Sequence, residues 1–196
     1  MKEVLIKQLA EVSKKLPECS FKTGDDETID KFYSLFPKDE LSKMSLEKYC
    51  LGNGTNPDNF CRWLERGLES AIGRYSPGNS ERHIIYLQQD GEYFKHRAFS
   101  DMSNEEAMDY VAKIHQFVAE ADTKEKALKL DDDSYIYSSL NLKPRYAMSE
   151  GRKLRILATY YLDTILPISS TNHLGHFLIK LGVDKKNIES SAIARM

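Results

Sequence analysis

The chain has 196 residues, of which 41% are hydrophobic and 30% charged, and a formal net charge of -2 at pH 7. These values suit one packed domain with at most a small appendage, exclude wholesale disorder, and deny the chain a global basic field. Any surface for nucleic acid must therefore be local. Three cysteines, Cys19, Cys50 and Cys61, show no Cys-x-x-Cys spacing, which argues against a disulfide framework or a zinc site and fits a reducing cytoplasm. No apolar run approaches the roughly 18 residues of a membrane span, so the expected protein is soluble and cytoplasmic.

In chain order, Val4, Leu5, Leu9, Val12 and Leu16 fall at helical spacing over residues 2–16, and Pro17 closes that helix. A second helix is expected from Asp26 to Phe36, stopped by Pro37. Ser45 is placed to cap a short helix that packs Leu46 and Tyr49. Residues 52–59 read as a loop.

A central helix then starts at Asp58 or Asn59 and ends at Gly73, with Phe60, Trp63, Leu64, Leu68, Ala71 and Ile72 as its apolar stripe. Trp63 lies in that stripe and reads as core rather than as a base-stacking platform. The loop 74–80 leads into a hairpin over 83–98, with Asp90-Gly91 as a type I′ turn. Alternation along its second strand puts Tyr93, Lys95 and Arg97 on one face.

Ser103-Asn-Glu-Glu106 is a capping box opening a long helix to Ala121. Residues 135–150 read as irregular, 154–162 as a strand, 173–181 as a helix, and 184–196 as weakly patterned. The expected fold class is α+β: a helix-rich single domain with a small β-sheet made of the 83–98 hairpin and the 154–162 strand.

The sequence contains no phosphate-binding loop and no nucleophile elbow, and no cofactor is expected. His173 and His176 share a predicted helix but lack further ligands nearby, so a helix start with one buried and one exposed imidazole is the better reading. Asp131-Asp-Asp133 reads as a solvated turn rather than a cation site. The basic and aromatic stretches are more suggestive. Residues 143–155 hold Lys143, Arg145, Tyr146, Arg152, Lys153 and Arg155, and the hairpin adds Tyr93, Lys95 and Arg97. Such cations neutralise phosphates, while tyrosines stack on exposed bases.

Three segments together carry a resemblance. Phe32-Tyr-Ser-Leu-Phe-Pro-Lys-Asp-Glu-Leu-Ser-Lys-Met-Ser-Leu-Glu-Lys-Tyr, Asn59-Phe-Cys-Arg-Trp-Leu-Glu and Ile165-Leu-Pro-Ile-Ser-Ser resemble the N-terminal region of McrB-like AAA+ subunits of McrBC-type, modification-dependent restriction systems. The similarity spans about residues 30–182. It departs from the family in the loop, where relatives carry Gly-Ser-Ile-x-Gly-Gly-Ser before Lys-Phe-Gly-Ile-Tyr. Here Gly73-Arg-Tyr-Ser-Pro-Gly-Asn-Ser precedes Arg82-His-Ile-Ile-Tyr86.

The resemblance implies a non-catalytic targeting domain of a phage-defence restriction system. It would occupy residues 1–182 (helical start 1–50, α+β core 58–182), with 183–196 as a linker towards an absent AAA+ motor. Its implied partners are double-stranded DNA, plain or modified, together with the motor and a nuclease subunit, and no membrane. The candidate DNA-binding residues are Arg74, Tyr75, Arg82, Tyr93, Lys95, Arg97, Lys143, Arg145, Tyr146, Arg152, Lys153 and Arg155. No catalytic or metal residue is expected, so the chain is not expected to be an enzyme by itself. A protein-interaction or oligomerisation module is the alternative, supported by the net acidity and by the absence of arginine before Arg62.

Overall fold

The structure is a computed structural model, and the residues it describes are 26–52, 56–76, 83–168, 170–189 and 193. The helix expected over 2–16 and the candidate Arg82 lie outside the described residues. Helix α1 (Asp26–Leu35) leads into a 3-10 turn (Lys38–Lys43) and a short helix α2 (Leu46–Tyr49). Pro37, two residues past the end of α1, brings no N–H to extend it. Ser45 caps α2 by accepting from the Lys48 N–H at 3.2 Å. Phe32 of α1 is fully buried, with the rings of Phe36, Phe60, Trp63 and Tyr160 between 5.1 and 6.1 Å away. Burying an aromatic ring of this size contributes roughly 1.5–3 kcal/mol, so this cluster holds elements from both ends of the chain together.

The central helix is not continuous. It runs as α3 (Phe60–Arg62), one π-helical turn (Trp63–Gly67) and α4 (Glu69–Ile72). Asn59 caps it, accepting from the Arg62 N–H at 2.9 Å. The wide turn sits where Gly67 meets the face of the Trp63 indole. A β-carbon at 67 would lie 2.6 Å from Trp63 Cε3, so the ring occupies the space any larger residue would need. Periodicity alone conceals such an insertion, because the apolar stripe stays on one side of it.

The hairpin is shorter than its sequence suggests. β1 (Ile85–Leu87) pairs antiparallel with β2 (Tyr93–Lys95), opposing Ile85 to Lys95 and Leu87 to Tyr93. The expected type I′ turn is absent: Gly91 has φ +88° but Asp90 is not in the left-handed region. Gly91 N–H donates to Gln88 O and Gln88 N–H to Glu92 O. This is the three-residue loop in which an ordinary turn is followed by one left-handed glycine. On the other side of β1, Leu87 N–H donates to Leu51 O at 3.0 Å. Just before β1, Ile84 has φ +74° and is buried, a costly conformation for a β-branched residue, roughly 1–3 kcal/mol.

Helix α5 (Asn104–Ala119) forms behind the expected capping box, with Ser103 and Glu106 satisfying each other's backbone N–H groups. Two helices follow, α6 (Lys124–Lys129) and α7 (Asp133–Ser139), the second within a stretch expected to be irregular. The strand expected over 154–162 is instead helix α8 (Glu150–Tyr160), so the sheet of the described residues is the two-stranded hairpin alone. Every residue of α8 from Arg152 to Thr159 is buried. A helix enclosed on all sides shows no one-faced stripe, and its apolar run then reads as a strand. Helix α9 (Thr171–Lys180) closes the described fold. Helix-rich α+β architecture is thus the observed class.

Candidate nucleic-acid interface

Three of the expected phosphate contacts are core groups. Arg152, Lys153 and Arg155 are each no more than 3% exposed, which removes them from any DNA-facing surface in this fold. Each is bonded internally. Lys153 Nζ donates to Leu130 O at 2.7 Å and to Asp133 Oδ1 at 2.8 Å, closing the end of α6. Arg155 donates to Leu64 O at 3.0 Å and Ile72 O at 3.1 Å, bridging the two sides of the interrupted central helix. Burial pulls the Arg155 guanidinium down to about 10.

Arg152 is the hub of a polar cluster that the sequence reading did not identify. Its guanidinium donates to His115 Nε2 at 3.0 Å, His83 Nδ1 at 2.6 Å and the Tyr49 hydroxyl at 3.1 Å, with Cys61 Sγ at 3.7 Å. A guanidinium has only donors, so both imidazoles accept from it and their tautomers are fixed. His115 keeps its proton on Nδ1 and donates to Val111 O at 2.7 Å. His83 keeps its proton on Nε2 and donates to Glu65 Oε1 at 2.7 Å. Burial, reinforced by the Arg152 charge, holds His115 well below the ordinary histidine value. Burial alone would raise Glu65, but the His83 hydrogen bond together with the nearby His83, Arg66 and Arg152 charges leaves the carboxyl below its ordinary value. The Tyr49 hydroxyl completes the ring by donating to His83 O at 2.7 Å. These partners come from α2, the central helix, α5, α8 and the residues leading into β1, so the cluster locks five segments to one charge. The available signal was the cluster Arg152, Lys153 and Arg155 interleaved with Leu154 and running into Ile156-Leu-Ala, a pattern that suits an enclosed helix as well as a basic surface.

Of the remaining candidates, Arg97, Lys143, Arg145 and Tyr146 lie at one corner. Arg145 makes a two-pronged ion pair with Asp101, at 2.6 and 2.8 Å, and donates to Ala98 O at 2.9 Å. The ring of Tyr146 meets His96 edge to face at 5.1 Å. These contacts pin 143–146 onto 96–101, leaving Arg97 and Lys143 exposed and Tyr146 half-buried. Arg97 is not part of the strand. β2 ends at Lys95, and Arg97 opens a 3-10 turn (Arg97–Phe99), so the expected alternation of Tyr93, Lys95 and Arg97 stops one residue early. Lys95 Nζ is tied to Met102 O.

Arg74 is exposed, whereas Tyr75 is only 7% exposed. Its ring lies 5.9 Å from the Arg155 guanidinium. It is a packing residue and not available to stack on a base. Tyr93 is half-buried. Trp63 sits in the core, as its place in the stripe suggested.

His173 and His176 are both exposed on α9, contrary to the expectation that one would be buried. Asp132 caps α7 through the Ser134 N–H at 2.9 Å, and Asp133 is held by Lys153. Among the described residues no group of three or more His, Cys, Asp or Glu side chains is arranged to hold a metal, and no helix is long and apolar enough to cross a membrane. Comparison of the chain with protein-family models, curated proteins and solved structures finds no match.

Proposed function

We propose that this chain is a DNA-recognition domain of the McrBC-like kind its sequence resembles, and that it contacts the duplex with the corner formed by 96–101 and 143–146. The observation that carries this reading is the Arg145 clamp. It joins two segments 44 residues apart in sequence and leaves Arg97 and Lys143 exposed beside a half-buried tyrosine. Arg74 is the exposed cation of the preceding loop. The cations would hold phosphates, with Tyr146 at the rim of the contact. The interface is small. Modest affinity and dependence on the rest of an assembly follow from that.

Gel shifts with plain, methylated and hydroxymethylated duplexes at low salt test the reading. Binding should weaken in Arg97→Ala/Lys143→Ala, and the slope of log affinity against log salt should fall by about 2, one unit for each phosphate no longer neutralised. No retardation of any duplex, or a double variant that binds like the parent, refutes it. A protein-interaction module is the second reading. Its support is the exposed apolar set Leu166, Phe177, Ile179 and Leu181 on and beside α9.

A further inference from the structure

A groove lies between the start of α6 and the turn following α8. It has a volume of about 320 Å³ and an apolar floor that includes Ala121, Ala127, Leu128, Tyr161 and Ile165. Asp122 and Lys124 stand at its rim, and Asp122 is already paired with Lys126 at 2.7 Å. One wall is supplied from far along the chain, by Ile193.

The contrast along the C-terminal segment identifies what the groove accepts. Lys185–Asn187, a 3-10 turn, is exposed throughout, and Glu189 is exposed as well. Ile193 is then only 3% exposed and belongs to the main apolar cluster. A single β-branched side chain seated in this way, beyond an exposed 3-10 turn, is an anchor. Its sequence neighbours are small, Ala192 and Ala194, a composition suited to a shallow groove. The space left beside Ile193 is larger than one aliphatic side chain, so the groove is not filled by its present occupant.

We propose that this groove is a receptor for one β-branched apolar anchor, and that Ile193 of the chain's own C-terminal segment is its ligand. Residues 183–196 are then not a plain linker. Their path is fixed at one point against α6 and the 161–165 turn, and release of Ile193 would open an apolar surface there.

The test uses the full chain carrying Ile193→Asp and a fluorescent peptide of residues 186–196. The peptide should bind the variant saturably and at least tenfold more tightly than it binds the parent chain, whose groove is occupied. Adding Leu128→Asp, a change at a partly exposed wall residue, should abolish that binding. Equal binding to parent and variant, or none to a variant that keeps the parent's thermal transition, overturns the proposal. A concentration-dependent dimer of the parent, abolished in Ile193→Asp, would give the groove to the partner copy's segment and overturn the in-chain assignment. Should Ile193→Asp fail to fold, Leu128→Cys/Ile193→Cys treated with a short bifunctional maleimide replaces it. An intramolecular crosslink is expected, and its absence overturns the proposal.

Discussion

Replacing Arg152 by methionine tests the central role given to its guanidinium. Methionine roughly preserves the length of the aliphatic stem but supplies no donor. His115 Nε2 and His83 Nδ1 then become buried acceptors without their 3.0 and 2.6 Å partner. Each stranded acceptor costs about 1–3 kcal/mol, and breaking a buried charged network typically costs about 3–5 kcal/mol in all. Against a total stability of roughly 5–15 kcal/mol this is a large fraction. For a domain of this size it corresponds to a fall in Tm of roughly 10 °C. Urea denaturation should show the midpoint shifting with the slope unchanged. Arg152→Lys should recover little, because one ammonium on a shorter reach cannot serve acceptors on three elements. Combining Arg152→Met with His115→Phe should cost less than the sum of the two, since the second change removes an acceptor the first has stranded. A loss below about 1 kcal/mol, or strict additivity in the double variant, would refute the reasoning.

Acid should destabilise the fold through His115. Its folded value lies well below its unfolded one because burial and Arg152 oppose the charge, so the unfolded chain binds the extra proton. Its full contribution is present above about pH 6.5 and is lost as pH falls below that, at up to about 1.4 kcal/mol per unit. His115→Phe should flatten that part of a stability-versus-pH profile, and an unchanged slope would count against the assignment. Gly67→Ala should cost about 1–3 kcal/mol in chemical denaturation, because the new methyl meets the Trp63 ring at 2.6 Å. Trp63 fluorescence should shift with it, and an alanine variant as stable as the parent would mean that the π-helical turn has other causes.

What the sequence revealed depended on whether a local rule could see it. The capping box at Ser103, the caps at Ser45 and Asn59, and the stripe through Phe60, Trp63 and Leu68 were legible because each depends on neighbours within one or two turns. Helix α8 was misread because its partners surround it. Its residue types were set by α5, the central helix and α7, of which only α7 neighbours it along the chain. The same enclosure turned Arg152, Lys153 and Arg155 from an apparent basic surface into internal fasteners. At the candidate site, Arg97 and Lys143 are exposed, as a phosphate contact requires, but the role of Arg145 was not visible in the sequence. Its neighbour Asp101 lies 44 residues away, and only the folded chain brings the two together.

Enclosing those cations also changes how the molecule looks from a distance. The formal charge of -2 counts Arg152, Lys153 and Arg155 as equals of any surface lysine, yet solvent meets none of them directly. Among the described residues the surface is therefore more acidic than their composition suggests, with the corner around Arg97 and Lys143 one of its basic points. A DNA partner would feel little attraction until it was close to that corner, so encounter would be slow and orientation strict. On the proposed DNA-recognition reading, such a domain gains by being carried to its target on a larger assembly rather than by searching alone.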